Sequence, residues 1–243
     1  GNAATQLTRT VTVQDTVAPI MTLIGASFET IEVHTSYNDP GVYAVDNYDG
    51  DISNNVSVTN NVNTAILGTY TIEYNVTDSN GNTAIPIIRT VNVVDTTAPV
   101  ITLIGDSFIT LQGGIDNYQE PGFTAIDNYD NDITNKVDVS GTVDINVLDT
   151  YYITYNVTDA CGNQAVEVVR TIEVVDTTPP VITLNDASNI TLNLLDPYVE
   201  YGASAIDNID GDISNNIDIS GTVDVNTVGT YYVTYNVSDA CGN

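Results

Sequence analysis

The chain has 243 residues, of which 32 are acidic and 4 basic, for a formal charge of −28 at neutral pH. A field of that sign repels nucleic acid and anionic membrane surfaces, which excludes polyanions as partners. Hydrophobic residues make up 42% of the chain, enough to build a core, but no apolar run approaches the ~20 residues that a membrane-spanning helix needs.

In chain order, the first element is Ala3–Val13, whose Val11 and Val13 alternate with polar neighbours as in a strand. It precedes Asp15-Thr16-Val17-Ala18-Pro19, a segment that recurs as Asp95-Thr96-Thr97-Ala98-Pro99 and as Asp176-Thr177-Thr178-Pro179-Pro180, a period of 80 and then 81 residues. Nearly the same spacing carries Asp46-Asn47-Tyr48-Asp49-Gly50-Asp51 onto Asp127–Asp132 and Asp207–Asp212. It also carries Gly68–Asp78 onto Asp149–Asp159 and Gly229–Asp239. Internal repetition of this kind sets the domain frame. Residues 15–94, 95–175 and 176–243 are three repeats, and residues 1–14 are the final strand of a preceding or neighbouring domain.

The second repeat shows the pattern within one period. Short strands are predicted at Val100–Leu103, Ile109–Gln112, Gly122–Asp127, Val137–Ser140 and Gln164–Val175, separated by Gly, Asp and Asn turns. Between the last two, Tyr151, Ile153, Tyr155 and Val157 alternate with Tyr152, Thr154, Asn156 and Thr158, one face apolar and the other mostly polar. No helical stripe interrupts them. The expected fold class is all-β: tandem immunoglobulin-like antiparallel β-sandwiches in a linear array. On this frame the third repeat lacks the strand equivalent to Gln164–Val175. Either the chain is a window on a longer array, or Ala3–Val13 of one copy completes the third repeat of the next, head to tail.

The motifs D-T-x-x-P, D-N-x-D-x-D and [GD]-T-Y-x-[IV]-x-Y-N-V-[TS]-D-x-x-G-N resemble the bacterial immunoglobulin-like repeats of the pesticidal-crystal-protein type and, more distantly, hyalin repeats. The resemblance covers the whole chain. It implies surface stalks, adhesin arms and accessory modules. Hyalin repeats usually pair a cysteine within the domain, whereas Cys161 and Cys241 sit one repeat apart with no partner in their own repeat. Each reads as a lone small residue in a turn, or alternatively as a lateral link between molecules.

The acidic loops carry the chemistry. Counting strand directions gathers the acidic residues of each repeat at one pole if strands such as Val100–Leu103 and Ile109–Gln112 form a single kinked strand. The sets are Asp15, Asp46, Asp49, Asp51 and Asp78; Asp95, Asp127, Asp130, Asp132 and Asp159; and Asp176, Asp207, Asp210, Asp212 and Asp239. Dense hard-oxygen ligands suit Ca²⁺, which takes about 6–8 oxygens. A structural Ca²⁺ is the expected cofactor, and a solvated Asp/Asn turn is the alternative reading.

His34 is the only histidine and reads as surface decoration, so no nucleophile–base constellation converges and no enzyme is expected. Arg9, Arg89 and Arg170 recur on the last strand, to pair with a carboxylate on an adjacent strand or to guard a strand edge. Tyr74, Tyr155 and Tyr235 recur where a buried ring with its hydroxyl on backbone resembles a tyrosine corner. The expected function is that of an extracellular filament or surface-stalk subunit, stiffened by calcium at its inter-domain poles. The alternative is the spacer arm of a large adhesin whose binding domain lies elsewhere.

Overall fold

A computed structural model describes residues 1–243, which divide into two compact units: 1–97 with 128–131, and 98–127 with 132–243. Each is built of strands with three short 3-10 turns in the whole chain. No helix is long and apolar enough to cross a membrane.

In the first unit the strands are β1 (Ile20–Leu23), β2 (Phe28–Glu32), β3 (Val42–Asp46), β4 (Gly50–Asp51), β5 (Ser57–Asn60), β6 (Gly68–Asn75) and β7 (Ile87–Val94). They form two sheets, β1-β3-β4 and β2-β7-β6-β5. Alternation decides what lies between them. Met21 and Ala44 from one sheet pack on Ile72, Tyr74 and Val91 from the other, and all five are buried. The run Ile20–Glu32 therefore begins antiparallel to β3 in one sheet and continues parallel to β7 in the other.

A strand that changes sheets breaks its own ladder, and the carbonyls at the break need donors. Arg89 supplies them. Its guanidinium donates to the carbonyls of Ala26 (2.6 Å), Ile24 (2.7 Å) and Gly41 (3.0 Å), and to Glu29 Oε1 at 2.8 Å. Its Nε contacts Asp39 Oδ1 at 3.2 Å and donates to the Tyr74 hydroxyl, also at 3.2 Å. Arg89 is 0% exposed, so the strand-edge guard suggested by sequence is replaced by a buried clamp. The tyrosine corner is corrected too: Tyr74 donates to the Asp39 carboxylate at 2.5 Å rather than to backbone. Burial, then that bond, pushes the Tyr74 hydroxyl up to about 12.

The second unit repeats this plan with β8 (Val100–Leu103), β9 (Phe108–Gln112), β10 (Phe123–Asp127), β11 (Asn131–Asp132), β12 (Asp138–Ser140), β13 (Thr150–Asn156) and β14 (Val168–Val175). The sheets are β11-β10-β8 and β12-β13-β14-β9. Arg170, also 0% exposed, donates to the carbonyls of Ile104, Asp106 and Gly122 and to Glu120 Oε1 at 3.0 Å. The strand predicted from Gln164 begins at Val168, because Gln164 makes only an isolated bridge to Thr158.

The same unit continues with β15 (Val181–Leu184), β16 (Ala203–Asp207), β17 (Gly211–Asp212), β18 (Asp218–Ser220) and β19 (Thr234–Asn236). The sheet β15-β16-β17 matches its predecessors, while β18 and β19 pair only with each other. Ala205 and Ile213 are the buried apolar side chains that remain here.

The step out of the first repeat is tied by Glu32 at the end of β2. Its carboxylate accepts from the Thr96 amide (3.0 Å), the Thr96 hydroxyl (2.7 Å) and the Thr97 hydroxyl (2.8 Å). Burial works to raise its pKa, but these donors and Asn128 outweigh it and hold the carboxyl at about 2.

Two outcomes follow for solution work. Arg89→Met keeps the stem but strands two carboxylates and three carbonyls, and is expected to cost about 3–5 kcal/mol, read from the urea midpoint of the first transition. For Glu32 the folded pKa lies below the unfolded value. Its tether is therefore fully present above pH 4.5 and lost as pH falls toward 2. Hydrogen exchange at the Thr96 amide is expected to lose protection across that window, and Glu32→Gln to remove the dependence.

Candidate cation site

The acidic loops are built from side chains that bond their own backbone, which fixes where the remaining oxygens lie. In the first repeat, Asp46 ends β3 and its Oδ1 accepts the amides of Tyr48 (2.8 Å) and Asp49 (3.0 Å), closing the turn into β4. Asp78 Oδ1 accepts the amides of Asn80 (2.9 Å) and Asn82 (2.8 Å), and its Oδ2 takes the Asn82 side-chain amide at 2.7 Å. Asp15 Oδ1 accepts the Val17 amide at 3.1 Å and Asn47 Nδ2 at 3.3 Å. Turn chemistry of this kind is why Asp recurs at these positions.

The three residues converge. One carboxylate oxygen from each of Asp15, Asp46 and Asp78 lies within 4.8 Å of the others. Asp46 is buried, and its Oδ2 has no hydrogen-bond partner. Asp49 and Asp51 do not join the cluster. Asp49 takes the Ser79 amide and hydroxyl at 2.7 and 2.8 Å, and Asp51 takes the Ser53 amide and hydroxyl at 3.0 and 2.7 Å.

The third repeat reproduces the arrangement. Oxygens of Asp176, Asp207 and Asp239 lie within 4.8 Å of one another. Asp207 Oδ1 holds the amides of Ile209 (2.8 Å) and Asp210 (2.9 Å), and Asp239 holds the Asn243 amide and side chain at 2.8 and 2.9 Å. Asp176 Oδ2, Asp207 Oδ2 and Asn208 Oδ1 are buried without a hydrogen-bond partner. Asp210 and Asp212 are again spent locally, on the Ala240 amide at 2.6 Å and on the Ser214 amide at 3.0 Å.

Of the second set, Asp127 and Asp159 are buried in the second unit and Asp95 is buried in the first. Asp159 accepts the amides of Cys161 (2.9 Å) and Asn163 (2.8 Å), while Asp132 accepts the Thr134 amide at 3.0 Å. Asp130 is half-buried in the intervening turn.

Burial works to raise Asp78 and Asp239, but their asparagine and backbone donors outweigh it and hold both below the usual carboxylate range. Three charges some 5 Å apart repel by roughly 3 kcal/mol per pair at an effective dielectric of about 20. A hard divalent cation converts that repulsion into ligation, and every converging donor is an oxygen. Partnerless buried carboxylate oxygens fit the same cation, because hydrogen-bond donors are what they lack.

The site also lies where two repeats meet. Asp176 Oδ1 accepts Gln112 Nε2 from the end of β9 at 2.8 Å, and Asn208 Nδ2 donates to the Gly113 carbonyl at 2.7 Å. Gly114, at φ +66°, passes so close that a Cβ would stand 2.6 Å from the Asn208 carbonyl oxygen. His34 also has positive φ, 63°. Its amide donates to Thr64 as Gly114 donates to Ile145, so the lone histidine occupies a turn position of the repeat.

Sequence reasoning placed fifteen aspartates in these sites but did not see the asparagines that brace them, Asn47, Asn82, Asn208 and Asn243. Their recurrence in D-N and G-N pairs is the signal. Cys161 and Cys241 are exposed. Burial, then the surrounding carboxylates, pushes the Cys241 thiol up.

Relatives share this sequence over most of its length. It is 35% identical over 218 residues to an uncharacterised 81.3 kDa protein of Acholeplasma phage L2, a match covering 84% of this chain and 29% of that protein. It is 30% identical to the pesticidal crystal protein Cry22Aa of Bacillus thuringiensis, over 90% of this chain and 30% of that one. Hyalin of Strongylocentrotus purpuratus is 29% identical over 98% of this chain and 21% of its own length. The chain thus spans less than a third of each relative. A family profile described as bacterial surface protein, Ig-like domain, matches residues 21–93, 101–174 and 182–243. Each match runs from the strand that starts a repeat across both of its sheets, and with three of them covering most of its residues the chain belongs to the bacterial surface Ig-like domain family.

Proposed function

We propose that this chain is a structural segment of a bacterial surface protein, a stalk or spacer of tandem Ig-like repeats that takes up calcium where one repeat passes into the next. The observation that carries the reading is the recurring cluster. In the first and third repeats three carboxylates converge within 4.8 Å, and buried oxygens of Asp46, Asp176 and Asp207 have no donor. Ligands of one such site belong to different parts of the chain. Asp176 follows directly on β14, whereas Asp207 and Asp239 come from turns of the third repeat. A cation bound by all three joins the linker to the domain after it and limits bending there.

The short linkers support the same role. Five residues separate Val94 from Val100, with a proline and no glycine–serine stretch, so little slack exists for independent tumbling. Function on this reading is reach and stiffness rather than chemistry, and the segment is non-catalytic. A filament subunit and the arm of an adhesin would both use such a segment. Uniform polymers of the isolated chain in negative-stain images favour the first, and short monomeric rods favour the second.

Calcium is tested by thermal melts at low ionic strength, with calcium or with chelator. At a hundredfold excess over Kd one site contributes about 2.7 kcal/mol, so the apparent Tm is expected to rise with calcium and with magnesium much less. The double variant Asp46→Asn, Asp207→Asn is expected to melt higher than the parent in chelator, since like charges are removed, and to lose most of the calcium response. A parent chain whose melt ignores calcium would overturn the cation reading.

A further inference from the structure

Two glycines of the second repeat answer to a neighbour rather than to their own turn. Gly113 and Gly114 follow β9, and the turn is tied down within its repeat: the Gly113 amide donates to Val175 and the Gly114 amide to Ile145, both at 2.8 Å. The first repeat makes the same turn with Val33 and His34, whose amides donate to Val94 and Thr64, each at 2.7 Å. The third makes it with Leu195, whose amide donates to Val225 at 3.0 Å. The backbone angle φ is positive in all three, 63° at His34, 66° at Gly114 and 75° at Leu195. Two of the three repeats carry a side chain at this position, so the positive φ alone does not call for glycine here.

What excludes a side chain is the third repeat, which belongs to the same compact unit. A Cβ on Gly113 would stand 2.8 Å from Ile209 Cδ1 and 3.1 Å from Leu148 Cδ2. One on Gly114 would stand 2.6 Å from the Asn208 carbonyl oxygen and 3.5 Å from Ile209 Cδ1. Ile209 is therefore half-buried in the recess that the missing side chains leave, beside Leu148. Hydrogen bonds flank this apolar contact. Asn208 Nδ2 donates to the Gly113 carbonyl at 2.7 Å, and Gln112 accepts the Thr177 hydroxyl at 2.8 Å while donating to Asp176 Oδ1 at 2.8 Å.

We propose that Asn208 and Ile209 of the third repeat and the Gly113–Gly114 turn of the second form an interlock that fixes the angle between these two repeats with no cation bound. Turning one repeat against the other lifts Ile209 out of its recess or drives the Asn208 carbonyl into the glycine backbone, and packed surfaces of this kind do not deform continuously. Gln112, Leu148, Asn208 and Ile209 are uncharged, so removing divalent ions leaves the contact intact. The interlock rests on the stalk reading for its use, stiffness at a joint, and not on calcium. A cation held by Asp176, Asp207 and Asp239 then adds to a joint already set, because Gln112 and Asn208 both reach Asp176 Oδ1, at 2.8 and 3.4 Å.

The experiment uses the 243-residue chain in chelator and measures residual dipolar couplings of its backbone amides, fitted separately for the second and third repeats, with far-UV circular dichroism as the folding control. The expected result is one alignment tensor common to both repeats. Ile209→Ser is expected to lose it, the two magnitudes separating as the third repeat moves on its own. Gly114→His places in the turn the residue that the first repeat carries at positive φ, so the turn is kept and only the approach of Asn208 is blocked. Its expected effect is a shift of one repeat's tensor axes against the other's. Separate tensors in the parent would overturn the proposal, and so would a common tensor with unchanged axes in either variant. The parent's calcium melt reports the cation reading by itself, so failure of the interlock and failure of calcium binding are separately visible.

Discussion

The repeat depends on one buried cation that belongs to the protein itself. In an Ig-like domain whose first strand crosses from one sheet to the other, the crossing leaves carbonyls without ladder partners. Arg89 and Arg170 close that gap with a planar fork that meets three carbonyls and a carboxylate at once. Lysine could not span the same set, because its donors radiate from a single nitrogen. The pair with Glu29 and Asp39, or with Glu120, is therefore better regarded as part of a backbone-satisfaction network than as a net source of stability. Buried ion pairs often gain little over apolar packing, while their disruption is expensive. The clamp also explains why the last strand governs the repeat. It brings the arginine, and it is the ladder partner of the second half of the crossing strand.

The acidic poles follow the opposite logic. Asp46 and Asp207 each spend one oxygen on nearby amides, which fixes the side chain and leaves the other oxygen without a donor. They do this in the same way 161 positions apart in a chain of period 80 and 81. Such turns would form without a metal. What turn formation leaves unexplained is the meeting of three turns from distant parts of a repeat with their spare oxygens facing one another.

Much of this was legible in the residues. The period gave the repeats, and alternation gave the strands, Val100–Leu103 among them to the residue. A single kinked strand was read as the way to bring the Asp loops to one pole. Its two halves do pair in different sheets, β1 with β3 and β2 with β7. The pairing of Arg89 with a carboxylate on an adjacent strand was legible, and Glu29 on β2 supplies it, whereas its burial and its hold on the crossing carbonyls were missed although the signal was present. Arg89 shares the parity of Val91 and Val93, so alternation alone puts it inside, and only the habit of placing charge at the surface argued otherwise. Asp49, Asp51, Asp210 and Asp212 could not be sorted from the converging residues, since composition and spacing are the same for both. The difference lies in whether a serine or backbone amide stands within reach, and in Asp49 and Asp210 that donor lies 30 positions away. Tertiary placement of that kind leaves no local trace.

The charge balance joins the two themes. Of four basic side chains, Arg89 and Arg170 are sealed in the cores and already matched to carboxylates or carbonyls. They cannot answer the acidic poles. Protonation is a poor answer as well, because the donors around Asp78, Asp159 and Asp239 depress those carboxyls and keep them charged further into acid than a free aspartate. On the proposed reading neutralisation comes from solution, as diffuse monovalent ions at the surface or as a localised divalent ion where oxygens converge. Diffuse ions screen over about 8–10 Å at ordinary salt and do little for charges buried side by side. Only a bound ion acts at contact distance, which is why the clusters, rather than the total of −28, carry the argument for calcium.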